Sequence, residues 1–232
     1  QRTRLPLGLT YGVLKRFHGA SAYTMVTNVE MRQELEERNF QNLVLRRVGV
    51  DQKIFKPQQG FDKSFLDSTL KLPRPVFVCH GRMAPEKNLR HFVEMKLPGS
   101  KLIIGPGPLL EKYKKIYPFD NYKTHFTGYL PDEEMVRHIA SADAFVFPSV
   151  TETFGFVQLE ALACGIPVAA LPVTGPQAVL GESSAGIMSY DLQQAALDAL
   201  HIKPQHCLDR AHKFSWEDGA DDFLNHLQPI AS

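Results

Sequence analysis

From Pro75 onward, short continuous apolar runs alternate with longer mixed segments. The runs at 75–79, 101–104, 124–127, 144–147, 167–171 and 186–188 show little polar alternation. Runs of that kind predict strands buried on both faces of a parallel sheet. Helical patterns fall between and after them, at about 88–95, 109–116, 132–141, 156–164 and 177–180. The third opens with Asp132, Glu133 and Glu134 behind Pro131, acids placed where a helix dipole favours them. Repeated strand–helix alternation predicts an α/β fold built on a doubly wound parallel sheet. The tail, 191–227, reads as helical with breaks near Pro204 and Ser215. Ahead of Pro75 the pattern differs: 23–26 and 43–45 predict strands, 31–38 a charged helix, and 61–74 a linker with Pro73 inside it. Two strands and one helix are too few to bury a sheet alone. The series contains no internal repeat or low-complexity segment.

The segment 149–165, Ser-Val-Thr-Glu-Thr-Phe-Gly-Phe-Val-Gln-Leu-Glu-Ala-Leu-Ala-Cys-Gly, carries the most chemistry. It predicts a strand end, a tight loop, and a nearly all-apolar helix stopped by Gly165. Such a helix is expected to be buried nearly all round, where a carboxylate is costly unless something binds it. Glu152 and Glu160 fall at the carboxyl edge of a strand, the edge at which doubly wound sheets bind ligands. They read as hydroxyl-binding acids for a sugar or a ribose. Glu152 alone reads equally well as a loop carboxylate. Gly155 at the helix start allows a ligand close to free amides.

A second constellation, His80-Gly81-Arg82-Met-Ala-Pro-Glu86-Lys87-Asn88, follows the first buried strand. Gly81 permits a sharp turn, and Arg82 and Lys87 bring two cations beside a helix start, a combination suited to a diphosphate. A solvated loop with surface cations is the alternative reading. His80 could face the same crevice, although a structural role is the plainer one. Gly105-Pro106-Gly107-Pro108 is not the dinucleotide fingerprint, because prolines stand where that fingerprint opens a helix; it reads as a tight turn. Gly128 ends the third strand, where backbone groups could meet a base edge or Tyr129 could simply pack.

Composition narrows the classes. A net charge of +1 gives no broad electrostatic case for nucleic acid, and 44% hydrophobic with 22% charged residues is ordinary for a soluble domain. Cys79, Cys164 and Cys207 lack metal spacing, and apolar surroundings mark the first two as buried free thiols. The histidines form no His-Glu-x-x-His arrangement, and no Asp-x-Asp pair is present to hold a magnesium–nucleotide complex. No run approaches membrane-spanning length, and nothing at the start resembles a signal peptide. The chain opens on Gln1, not Met, and is expected to begin inside a longer protein.

Together these pieces resemble the carboxyl-terminal half of retaining glycosyltransferases of family four, which have the two-domain GT-B fold. The resemblance rests on an ordered series covering nearly the whole chain: Val48-Gly-Val-Asp51 with Phe55-Lys-Pro57, Gly81-Arg82 with Glu86-Lys87, Phe126-x-Gly128, Ser141-Ala-Asp143, Phe147-Pro-Ser149, Glu152 and Glu160 with seven residues between them, and Phe214-Ser-Trp216-Glu217. It implies a Rossmann-like domain over 75–214 that binds a nucleotide sugar. Residues 1–58 would be a remnant of the amino-terminal acceptor domain, 59–74 a linker, and 215–232 a helix crossing back towards that domain.

By the same resemblance Arg82 and Lys87 hold the donor diphosphate, Glu160 binds the ribose hydroxyls, and Gly81 and Gly128 line the donor site. Glu152, with the amides of Thr153, Phe154 and Gly155, faces the transferred sugar and the phosphates. The donor implied is a UDP- or GDP-sugar with no metal or cofactor, and the acceptor a lipid or glycan. The missing amino-terminal domain is an implied partner. The implied place is the cytoplasm, with peripheral contact at the inner membrane face, although Lys112, Lys114 and Lys115 read most simply as a solvated helix face. One departure is Val173-Thr-Gly175-Pro-Gln177, where the family often has Gly-Gly-x-x-Glu, which leaves contacts from that loop open. The alternative from another class is a non-catalytic nucleotide-binding module. A nicotinamide oxidoreductase lacks both its glycine fingerprint and its ribose acid here.

Overall fold

A computed structural model describes residues 6–58 and 62–228. The expectations for 1–5, for the linker positions 59–61 and for 229–232 lie outside the described residues. The chain forms two compact units, one made of residues up to Gly49 with those from Trp216 onward, the other of Val50–Ser215.

The first unit contains α1 (Leu7–His18), β1 (Thr24–Val26), α2 (Val29–Glu37), β2 (Leu43–Leu45) and, from the far end of the chain, α12 (Trp216–Asn225). β1 and β2 pair in parallel with Thr24 opposite Leu43. Asn28 caps α2 by accepting from the Met31 amide at 2.7 Å. Arg47 is held by Asp222 in a two-pronged pair, with both nitrogen–oxygen distances 2.9 Å. The sequence pattern does not predict α1: it buries no residue, and Gly8 and Gly12 lower its intrinsic helix propensity.

The second unit runs α3 (Ser64–Thr69), β3 (Val76–His80), α4 (Leu89–Glu94), β4 (Ser100–Ile104), α5 (Leu110–Ile116), α6 (Phe119–Tyr122), β5 (Thr124–Gly128), α7 (Asp132–Ala140), β6 (Ala144–Phe147), α8 (Phe156–Ala163), β7 (Val168–Ala170), α9 (Thr174–Leu180), β8 (Gly186–Met188), α10 (Leu192–Ala199) and α11 (Pro204–Ala211). All six strands are parallel, in the order β5-β4-β3-β6-β7-β8. The chain therefore winds outward from β3 one way and from β6 the other. The crevice between those two strands is the topological switch point.

Both sheet faces are covered, which is why the strands read as unbroken apolar runs. Phe77, Ile103, Val146 and Ala169 form one core with Phe92 and Val93 of α4 and Ala195, Ala196 and Ala199 of α10. Each fully buried large side chain in such a core contributes about 1.5–3 kcal/mol. The segment expected as linker carries α3, which packs against α7 and buries Leu66, and Leu72 beyond it is buried as well. A helix of this length is too short for periodicity to reveal.

At the amino edge of the sheet Asp143 joins β3 to β6. Its Oδ2 accepts from the Val76 amide at 2.7 Å and from Arg74 at 2.8 Å, and its Oδ1 accepts from Lys63 at 3.0 Å. The Asp143 amide donates back to Val76 O at 2.8 Å. This clamp sets the start of the two strands whose carboxyl ends form the crevice.

Candidate functional site

β3 ends at His80, and the chain turns sharply at Gly81, whose φ of 138° is open to glycine and little else. A Cβ added at Gly81 would meet nothing within 4 Å. The neighbouring glycines differ. A Cβ at Gly105 would lie 2.3 Å from Gly81 O, and one at Gly107 would lie 2.4 Å from Met83 O. The Gly-Pro-Gly turn is thus the floor on which the 81–83 loop rests, fixed by Met83 N donating to Pro106 O at 2.8 Å. Its glycines serve backbone packing, and the open side of Gly81 faces outward.

A 3-10 turn, Pro85–Lys87, follows that loop, and Asn88 then takes a left-handed conformation and donates from Nδ2 to Pro148 O at 3.1 Å. This bond ties the loop after β3 to the end of β6. It also points Lys87 across the crevice, where Nζ meets Glu152 Oε2 at 2.8 Å and lies 5.5 Å from the centre of the Phe147 ring. Glu152 is seated by α9: its carbonyl accepts from the Gly175 amide at 3.0 Å, and a Cβ on Gly175 would come within 2.7 Å of Glu152 Cγ. The departing loop 173–177 therefore does reach the site, through its glycine.

His80, Gly81, Arg82, Lys87, Phe147 and Ser149 line a narrow cleft at the switch point. A larger groove of about 650 Å³, between 53–58 and the start of α7, shares no lining residue with it. Arg82 lies at the cleft mouth with its side chain 66% exposed and paired to Glu86. That surface pair is worth at most about 1 kcal/mol, so Arg82 is free to turn elsewhere.

α8 brings Glu160 to the opposite wall, where its Oε2 stands 3.3 Å from His80 Nδ1. Among the described residues six carry buried side-chain polar atoms without a hydrogen-bond partner, and four of them are His80, Ser149, Gln158 and Glu160. Natural proteins leave few such atoms, and each asks for an explanation. His80 and Ser149 line the cleft and Glu160 meets His80 there, a polar wall suited to a polar ligand, whereas the Gln158 amide packs against Gly155.

The thiols nearby are inert. Burial pushes Cys79 up to about 12, with Lys87 opposing, and burial with the Glu160 charge pushes Cys164 up to about 12. Among the described residues no group of three or more His, Cys, Asp or Glu could hold a metal ion. No helix among them is long and apolar enough to cross a membrane.

Two details complete these expectations. α8 is buried nearly all round except at Phe156, which is 48% exposed. Tyr129 is not packed but 73% exposed. The Cβ direction of Gly155 (φ 90°) is occupied by its own helix, since a Cβ there would lie 2.2 Å from Gln158 Nε2. Of the other expected site residues, Phe154 commits its ring to Phe156 and Phe214, at 5.2 and 6.0 Å, leaving only its backbone for a ligand. Thr153 is exposed, and its amide donates to Glu152 Oε1 at 3.1 Å. Gly128 ends β5, two strands and about 10 Å from β3. Its carbonyl accepts from the Gly105 amide at 2.9 Å.

Fold and site together define an α/β protein with a polar cleft at the switch point of a doubly wound sheet. Residues 74–201 match the glycosyl transferases group 1 family, and the chain belongs to that family. It is 31% identical over 183 residues to the sulfoquinovosyl transferase SQD2 of Arabidopsis thaliana, covering 76% of this chain and 36% of the relative. It is 28% identical over 214 residues to a GDP-mannose-dependent monoacylated alpha-(1-6)-phosphatidylinositol monomannoside mannosyltransferase of Corynebacterium glutamicum, covering 78% and 54%. The chain thus spans only part of the length of these relatives.

Among solved structures, the sucrose-phosphate synthase of Thermosynechococcus elongatus superposes with a TM-score of 0.80 at 21% identity, over 97% of this chain and 62% of that one. Anabaena HepE in complex with UDP and glucose superposes at 0.77 with 15% identity, over 94% and 66%. The fold is that of GT-B glycosyltransferases.

Proposed function

We propose that this chain is the donor-binding part of a retaining glycosyltransferase that moves a sugar from a UDP- or GDP-sugar to a lipid or glycan acceptor. The observation that carries the reading is the convergence of unpartnered polar atoms on His80, Ser149 and Glu160 beside Lys87 at the switch point. The donor-dependent names of relatives, and a neighbouring structure that holds UDP and glucose, support it.

In this reading Arg82 and Lys87 face the diphosphate. Arg82 is the mobile cation, released from Glu86 at little cost. Lys87 is the fixed one, held by Glu152. Cleavage of the bond between the anomeric carbon and the diphosphate oxygen moves negative charge onto the leaving group. Lys87, already in place, stabilises that charge without reorganising, and together with Arg82 it carries the role a divalent ion would otherwise have. Glu160 takes the ribose hydroxyls. Glu152, with the amides of Thr153, Phe154 and Gly155, faces the sugar, and Gly128 lies towards the base. The residues up to Gly49 and those from Trp216 onward belong to the junction with an acceptor-binding domain. A lipid acceptor would place the enzyme in the cytoplasm at the inner membrane face.

Calorimetric titration of the chain with UDP, GDP and their sugar conjugates tests the reading. One of these is expected to bind, and Arg82→Ala and Glu160→Ala should each weaken binding by about tenfold or more, the loss of one charge-assisted contact. Full affinity in both variants would overturn it.

A further inference from the structure

The Glu160 carboxylate does not stand alone in its wall. Its Oε2 and the His80 Nδ1 are both buried, 3.3 Å apart, and neither has a hydrogen-bond partner in the protein. The two side chains are only 19% and 15% exposed. A carboxylate oxygen withdrawn from water with nothing donating to it is costly, and an imidazole nitrogen with nothing opposite is costly as well. The separation is close to hydrogen-bond length but the alignment is not, so a small turn of either group would convert the contact into a bond.

His80 is also out of pattern. It closes a strand whose other residues, Val76, Phe77, Val78 and Cys79, are apolar and buried. Glu160 sits between Leu159 and Ala161, both without exposed surface. Each polar group interrupts a buried run, and the two interruptions meet although they are eighty positions apart.

We infer that His80 is a positioning residue for Glu160: its Nδ1–H fixes one carboxylate oxygen so that the other faces the cleft and accepts from the vicinal hydroxyls of a ribose. This rests on the reading of Glu160 as the ribose-binding acid. Without that donor the carboxylate would turn to find another partner, and the site would lose its ability to tell a ribose from a deoxyribose while still holding the diphosphate.

The test compares UDP with 2′-deoxy-UDP, and GDP with 2′-deoxy-GDP, as probes of the chain. Asparagine places an amide nitrogen near the position of Nδ1, whereas glutamine places one near Nε2. His80→Asn should therefore keep the preference for the ribonucleotide, and His80→Gln should reduce an approximately tenfold preference to near unity. The two variants are similar in polarity, so a merely structural role would move their thermal stability and leave the ratio alone; His80→Leu provides a second loss variant. Equal discrimination in wild type, His80→Gln and His80→Leu would overturn the inference while leaving the donor reading intact. Wild-type binding of UDP or GDP with no ribose preference would overturn the role of Glu160, and that of His80 with it. No binding of either nucleotide would overturn the donor reading itself.

Discussion

Gln158 offers a substitution whose expected sign is unusual for a core position. It is the third residue of α8, has no exposed surface, and neither its Nε2 nor its Oε1 has a partner in the protein. The amide rests against the bare Cα of Gly155, since a Cβ there would lie 2.2 Å from Nε2. Burying an amide without a compensating hydrogen bond costs about 1–3 kcal/mol on mutational scales. Methionine is similar in volume, apolar and flexible enough to keep the contact with Gly155, and an imperfect fit returns less than about 1.5 kcal/mol. Gln158→Met is therefore expected to stabilise the second unit by about 1 kcal/mol, roughly 2–4 °C in melting temperature for a unit of this size. Gln158→Glu, which buries a charge at the same place, should destabilise it. The single tryptophan, Trp216, belongs to the first unit, so far-ultraviolet circular dichroism is the suitable probe, with urea midpoints compared at unchanged slope. A fall in stability for Gln158→Met would refute the reasoning, because it would mean that the amide is hydrogen-bonded in solution.

Two further outcomes follow from buried ionisable groups. Removing the Asp143 clamp with Asp143→Ala leaves the Val76 amide without its acceptor and Arg74 and Lys63 without their anion; water reaches those cations in part, so a loss of about 2–3 kcal/mol is expected by urea denaturation, and Asp143→Asn, which keeps an acceptor for Val76, should lose about half of that. Stability should also change direction with pH: burial lowers Lys101 from 10.5 to about 8, so above pH 8 the unfolded chain binds more protons and stability rises, whereas burial raises Cys79, Cys164 and Cys207 from 9.0 to about 12, so above pH 9 the folded chain binds more protons and stability falls. Urea midpoints measured from pH 7 to 11 check this, and Cys79→Ala should flatten the alkaline fall.

Much of the second unit was legible in the sequence, because a strand buried on both faces must be an apolar run, and no surface constraint blurs it. All six strands lie within one residue of the expected limits at each end, and the break points of the tail fall where Pro204 and Ser215 stand. The segments that escaped notice lacked such a signal. α1 buries none of its apolar residues, so it has no face for periodicity to mark. α3 has one buried residue, Leu66, in a helix of six. The pairing of Lys87 with Glu152 was not legible at all, because it spans sixty-five positions and depends on Asn88 reaching Pro148.

The candidate site was legible in part, and the residues that join Glu160 there follow the same logic as Glu160 itself. Glu160 drew attention as a polar residue inside a run expected to be buried. His80 and Ser149 meet the same criterion: His80 closes an apolar strand, and Ser149 follows the strand of Phe145 to Phe147. The criterion is not sufficient alone. Lys101 interrupts β4 in the same way, but it is satisfied by donating to the carbonyls of Val93 and Met95 at the end of α4. Ser100, at the same amino edge of the sheet, is unpartnered yet far from any crevice between diverging loops. What separates the two groups is the edge of the sheet at which they lie. At the amino edge, a preceding helix arrives with its carbonyls and can absorb a polar side chain. At the carboxyl edge beside a switch point, the chains leaving β3 and β6 diverge, and backbone partners diverge with them. A polar residue in a buried run therefore points to a ligand when the topology has removed its backbone partners. That condition requires strand order as well as sequence.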